Sequence, residues 1–319
     1  MPMRILNVFL LTAAMATADD GLPELKEVTI RSSLDGTDQP ARYWAPGDAA
    51  ERRTPLFVFL HSWSGDYKQN NSRWHQEAVD RNWIYLHPNF RGVNQTPQAC
   101  GSKLARQDIL DAIDFASQQF QVDRSRIYLA GVSGGGHMAM LMAGHHPDRF
   151  TAVSAWVGIS DLARWYEFHS QNGKPDRYGQ MIARSLNGVP GSSEAVDADY
   201  RDRSPLFHMH RVGKLPVDIA AGVNDGHTGS VPIWHSLAAF NRIAESHGSV
   251  PVSDVEIQQL SESLQLTSPL PTDLEVDSVL GRDIRLRRVS GKSRVTIFDG
   301  GHESIPAAAM KWLEQHRKE

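Results

Sequence analysis

The sequence predicts an α/β fold in which a mostly parallel sheet is covered by helices on both faces. Two observations carry that reading. Short apolar runs, of which 56–60 is continuous, suit strands buried on both faces. These runs alternate along the chain with segments whose apolar residues recur at helical spacing, which is the pattern of strand–helix–strand units.

Taken in order, 25–31 and 41–44 read as two strands joined by a turn at Asp35-Gly36. The run 56–60 follows Pro55, and 82–87 is a similar strand, with a helix at 73–81 between them. From Asp108 an amphipathic helix extends to about Phe120, with Ile109, Ala112, Ile113, Phe115 and Ala116 on one face. The strand 126–130, a small-residue helix at 134–143 and a strand at 150–157 come next. Strands at 217–221 and 294–298 and a closing helix at 305–314 complete the alternation. Two segments fall outside it. The polar stretch 161–211, with Trp165, Tyr166 and Phe168, reads as a partial cap over the carboxyl edge of the sheet. The stretch 248–290, rich in Ser, Leu and Asp, reads as an insertion holding an extra hairpin and helix. Neither marks a domain boundary, so 19–319 is expected to fold as one unit.

A chain of 319 residues can bury one large core. With 40% hydrophobic and 22% charged residues it has no signature of disorder, collagen or coiled coil. A net charge of -4 offers no basic surface for nucleic acid or an anionic membrane, so neither is expected as a partner. The first eighteen residues have the form of an export signal. A weakly positive start at 1–4 precedes an apolar run at 5–14, too short to span a bilayer. Ala16-Thr17-Ala18 then offers small residues for cleavage before Asp19-Asp20. The expectation is an exported protein, secreted or periplasmic, mature from about Asp19 and without stable membrane insertion. Cys100 is the single cysteine, so no intrachain disulfide can form. Its Pro/Gln/Gly-flanked loop lacks the setting of a nucleophile, which makes it a structural thiol.

Chemistry concentrates at Gly131-Val132-Ser133-Gly134-Gly135, which follows a buried strand directly and opens a helix. That is the context of a nucleophile elbow, where a strained turn needs small neighbours and the helix amino terminus favours negative charge on the serine. The competing reading is a Gly-rich turn whose Ser133 caps the helix. A serine hydroxyl needs a base, and the base needs an acid to orient it. On an α/β-hydrolase fold the chain order is Ser, then Asp or Glu, then His. Asp225 follows the strand 217–221 and His302 follows the strand 294–298, so both lie on loops leaving the carboxyl ends of strands, as Ser133 does. Asp161 is the rival for the acid. His227 comes too early in the fold order, and Asp299 lies on the loop that carries the histidine. An oxyanion also needs donors. The backbone N–H of Gly134 is one. The loop 61–66 after the strand 56–60 supplies the other, assigned to Trp63, whose alternative role is to line the pocket.

Other patterns carry less. His145-His146 close a helix, where positive charge would complement the dipole, and His208-x-His210 could supply two ligands, but no carboxylate or cysteine stands at ligand spacing from either. No metal and no cofactor are expected. Gly134-Gly135-Gly136 lacks the lysine of a phosphate loop. The aromatic residues around Trp165 read as cap packing before they read as a ligand box.

With these residues in place, the chain resembles the prolyl-oligopeptidase-like serine hydrolases. The resemblance rests on Asn89-Phe90-Arg91-Gly92, Gly101, Gln107 to Ala112, the elbow, Ser204-Pro205-Leu206 and Val231-Pro232. It covers roughly 56–243 and the His302 end, and it implies a Ser133, Asp225, His302 triad. The family includes secreted carbohydrate esterases and lipid esterases beside peptidases. Two departures stand out. In related hydrolases a His-Gly-x motif precedes the oxyanion amide, and here Ser62 replaces that glycine. The residues from Asp19 to Pro55 are too few for the β-propeller that filters peptides in full-length prolyl oligopeptidases. The expected activity is hydrolysis of a carboxylic ester, on a small molecule or an acylated polysaccharide, through an acyl-enzyme. A peptidase of the same mechanism is the alternative, and a catalytically silent binding module is a third reading, opposed by the intact Ser, Asp and His.

Overall fold

The chain enters its sheet through a hairpin, β1 (Lys26–Arg31) and β2 (Asp38–Trp44), that turns at Asp35-Gly36. The structure is a computed structural model that describes residues 21–319; the expected export segment, 1–18, lies outside the described residues. Strands and helices then alternate: β3 (Thr54–Leu60), α1 (Ser72–Asp80), β4 (Ile84–Pro88), α2 (Lys103–Gln119), β5 (Val122–Val132), α3 (Gly134–His145) and β6 (Ala152–Trp156). Three helices follow, α4 (Leu162–Phe168), α5 (Arg177–Ser185) and α6 (Glu194–Asp202). The chain ends with β7 (Val217–Gly222), α7 (Trp234–Ser246), α8 (Asp254–Ser263), β8 (Ile284–Ser290), β9 (Ser293–Phe298) and α9 (Pro306–Leu313).

The strands form one sheet in the order β1-β2-β4-β3-β5-β6-β7-β9-β8. Pairing from β4 to β9 is parallel, and antiparallel pairs close both edges. All seven residues of β3 are buried, as the unbroken apolar run predicts for a strand with helices on both faces. This mostly parallel sheet with an elbow after β5 is an α/β-hydrolase fold.

The structure adjusts several boundaries. Helix α2 starts five residues before Asp108, because Ser102 caps it by accepting the Ala105 N–H at 3.1 Å. Helix α7 was not anticipated. The insertion contributes α8 and the strand β8, which forms a hairpin with β9 and becomes the sheet edge. That edge does not stand open. The Asp273 carboxylate accepts the Arg287 N–H at 2.7 Å, and the Thr272 hydroxyl donates to the Arg287 carbonyl at 3.1 Å. Arg288 pairs with Asp273 and Glu256, so the insertion is pinned to the strand it covers.

Arg91, from the Asn89 to Gly92 stretch, joins three elements. Its guanidinium donates to Asp108 on α2 and to Asp35 in the first hairpin. Arg91 and Asp108 are 7% and 1% exposed at the side chain, so each charge depends on the other. The segment expected as a cap, 161–211, forms α4 to α6. Its Leu162, Trp165, Met181, Ile182 and Tyr200 build a second apolar cluster with Trp63 and Val231, beside the main core under the sheet.

Candidate active site

Ser133 leaves β5 at φ 59° and ψ -118°, a strained conformation for a residue with a Cβ, and becomes the first residue of the turn into α3. Small neighbours make the turn possible, since a Cβ on Gly131 would stand 2.2 Å from the Gly135 carbonyl oxygen. The Ser133 N–H is held by the Trp156 carbonyl on the adjacent β6 at 2.8 Å. The serine side chain makes no cap hydrogen bond to α3, so the simple capping reading fails and the hydroxyl is left half-buried at the helix amino terminus.

Strands β7 and β9 deliver the two partners to the same sheet edge. His302 Nδ1 lies 2.7 Å from Asp225 Oδ2. Asp225 is 2% exposed, and its other oxygen accepts the N–H groups of Gly226 at 3.0 Å and Val231 at 3.1 Å. A buried carboxylate with three donors is fixed in place and accepts from Nδ1–H, which leaves the lone pair of His302 on Nε2. Among the described residues neither Nε2 nor the Ser133 hydroxyl has a hydrogen-bond partner, so both are free for a substrate. A residue that sequence reasoning missed closes this site. Gly229 lies so near that a Cβ there would stand 2.2 Å from Asp225 Oδ1 and 2.9 Å from His302 Cβ.

Trp63 and Gly134 are brought backbone to backbone at the elbow. Among the described residues neither of their N–H groups donates to an acceptor. For Gly134 that follows from its place at the start of α3, where the first N–H groups have no helical partner. Ser62, standing where a glycine was expected, is held by Gln69, whose Oε1 accepts both the Ser62 N–H at 2.9 Å and its hydroxyl at 2.8 Å. Nothing in the sequence pointed to Gln69. The Trp63 ring packs edge-on against Trp165 of the cap at 4.7 Å.

The rivals have other work. Asp161 caps α4, accepting the N–H groups of Ala163 and Arg164 at 3.0 and 3.2 Å. Asp299 pairs with Arg285, and His227 is exposed. Cys100 is fully buried, and burial pushes its thiol up to about 12, which removes it from nucleophilic chemistry. Two expectations about histidines need correction. His145 carries no positive charge to the end of α3, because burial lowers its pKa to about 4 and its Nε2 accepts from Arg106 at 2.7 Å. A carboxylate does reach the histidines in space. His145, His208 and Asp202 offer ligand atoms within 4.8 Å of one another, a grouping invisible at sequence spacing. Arg106 already supplies the positive charge there, with its other nitrogen 3.0 Å from Asp202 Oδ2, so this set does not fit a cation.

The arrangement is that of a buried carboxylate, an imidazole and a strained serine on one sheet edge, with two unspent amides beside the serine. A family model described as the prolyl oligopeptidase family matches residues 70–259, which takes in Ser133 and Asp225. The chain is 27% identical over 145 residues to the uncharacterized peptidase YtmA of Bacillus subtilis, covering 46% of this chain and 51% of that protein. It is 22% identical over 210 residues to feruloyl esterase B of Talaromyces stipitatus, covering 61% of this chain and 51% of that one. The chain thus spans about half the length of these relatives. The solved acylaminoacyl peptidase of Pyrococcus horikoshii shares the fold, with a TM-score of 0.60 at 20% identity over 92% of this chain and 40% of that one. With the family match extending over more than half of the sequence, the chain belongs to the prolyl oligopeptidase family of serine hydrolases.

Proposed function

We propose that the protein hydrolyses carboxylic esters through an acyl-enzyme, with Ser133 as nucleophile, His302 as general base and Asp225 as the acid that orients it. The observation that carries the reading is the 2.7 Å contact from His302 Nδ1 to the buried Asp225, on the edge where Ser133 emerges from its strained turn. In the first half-reaction His302 Nε2 takes the proton of Ser133 as its oxygen attacks the ester carbonyl. The N–H groups of Trp63 and Gly134 receive the oxyanion, and the protonated imidazole then returns its proton to the departing alcohol. Water repeats the sequence on the acyl-enzyme. Asp225 keeps the imidazole in the tautomer with its lone pair on Nε2 and stabilises its charged form.

Support for an ester is the presence of a feruloyl esterase and an acetylxylan esterase among the relatives, the former aligned over 210 residues. Peptide hydrolysis is the second reading, favoured by the peptidases among the relatives. Among the described residues no helix is long and apolar enough to cross a membrane. We also propose export with cleavage after Ala18, which amino-terminal sequencing of the protein from its host tests: an intact Met1 overturns it. The test of the chemistry is labelling by a fluorophosphonate, followed by comparison of aryl esters with peptide anilides. Wild type labels and the Ser133→Ala and His302→Ala variants do not, and esters give the higher kcat/KM. An unlabelled, folded wild type overturns the triad, and a preference for anilides overturns the ester assignment.

A further inference from the structure

His169, at the end of α4, is 8% exposed, and both of its ring nitrogens face oxygen. Nδ1 lies 2.7 Å from Oδ2 of Asp176, and Nε2 lies 2.9 Å from the backbone carbonyl of Ser230. A carbonyl oxygen and an ionised carboxylate can only accept. A neutral imidazole carries a single N–H, so it would leave one of these contacts with two lone pairs face to face. The imidazolium satisfies both. Asp176 fits the role of counter-ion: burial favours its neutral form, but the His169 hydrogen bond and the N–H groups of Gly179 and Tyr178 outweigh that and hold the carboxyl below its usual range.

The Ser230 carbonyl also accepts from Trp165 Nε1 at 2.8 Å, so two donors from α4 and its end close on one oxygen. The amide of the same peptide group is the Val231 N–H, which donates to Asp225 Oδ1 at 3.1 Å. One rigid peptide plane therefore links the cap to the acid. A cation on its oxygen side strengthens the donor on its nitrogen side.

We infer that His169 is a positioning residue, held as an imidazolium between Asp176 and the Ser230 carbonyl, which fixes the peptide that orients Asp225. The inference rests on the reading of Asp225 as the catalytic acid. The groups around the ring are consistent with its charge. From α5 come Asp176 and the Tyr178 ring, 5.0 Å away, and from α4 the rings of Trp165 and Phe168, each at 5.0 Å. On α7, His235 brings no competing positive charge, because burial lowers its pKa to about 3. On the acid loop Asp225 lies beyond the peptide and His227 is exposed, and His302 reaches Asp225 from the loop after β9.

The test uses the full chain with 15N-labelled histidine. Long-range proton–nitrogen spectra at neutral pH, assigned with His169→Phe, show protons on both ring nitrogens of His169. A single protonated nitrogen overturns the inference whatever the activity of the protein. In turnover, His169→Phe keeps an aromatic ring against Trp165 and Tyr178 but loses both donors. It lowers kcat on a small aryl ester about tenfold, the scale of one charge-assisted hydrogen bond, with KM nearly unchanged. Asp176→Asn has the same effect. A folded His169→Phe with wild-type kcat and KM overturns the inference while leaving the triad standing. Ser133→Ala that still turns over overturns the triad and the positioning of it together.

Discussion

A Cβ added to Gly134 would stand 2.3 Å from the backbone nitrogen of Trp63 and 2.4 Å from its Cα. The two residues lie just beyond the carboxyl ends of β3 and β5, neighbouring strands of the sheet, and neither N–H has an acceptor among the described residues. Gly134→Ala must push the Trp63 loop away. Ester hydrolysis is expected to fall about 10²- to 10³-fold, the cost of losing one oxyanion donor. The check is kcat/KM beside circular dichroism. A folded Gly134→Ala with ordinary turnover would remove Trp63 from the oxyanion site.

The two aspartates that competed for the acid have separable signatures. Asp225→Asn keeps the shape of the buried site but disturbs the tautomer of His302, so kcat is expected to drop by about 10⁴ with folding retained. Asp161→Ala removes the cap of α4. It is expected to cost about 1 kcal/mol of stability and to leave kcat within a few-fold of wild type. Denaturant melts and turnover of both variants decide it, and the opposite pattern would hand the acid to Asp161.

Acid sensitivity follows from buried histidines outside the proposed site. His137 is 1% exposed, with Nε2 on the Arg203 carbonyl at 2.8 Å, and burial lowers its pKa from 6.5 to about 4. Between these values the unfolded chain binds a proton that the folded one excludes, so stability is complete above about pH 6.5 and falls as the pH drops towards 4. His137→Gln is expected to reduce the pH slope of unfolding free energy in that window by about one proton. Equal slopes for wild type and variant in denaturant titrations across the window would contradict the assignment.

Much of the sheet was legible because its signal is local. The unbroken apolar run of β3 and the Gly-flanked Ser133 between strand and helix each declare themselves within a few residues. The segments that sequence reading placed poorly lack such a signal. Helix α2 extends back to Lys103 on the strength of the Ser102 cap, and α7 was passed over beside the more conspicuous Asp225. The 248–290 insertion was legible as a helix and a hairpin, which appear as α8 and β8 with β9, but not in how it is fastened. Its fastening depends on Asp273 meeting Arg287 and Arg288, fourteen and fifteen residues away.

The sequence by itself determined the fold class, the serine at the elbow and the candidates for its partners. Those depend on periodicity and on backbone conformations that neighbouring residues dictate. Only the tertiary structure decided among the candidates. It set Asp225 rather than Asp161 against His302 and pressed Gly134 onto Trp63. It also gathered His145, His208 and Asp202 around Arg106, and clamped the peptide beside Asp225 with His169. In each case the contact joins residues far apart in the chain. Its geometry is fixed by how strands and helices pack, and no stretch of sequence contains that information locally.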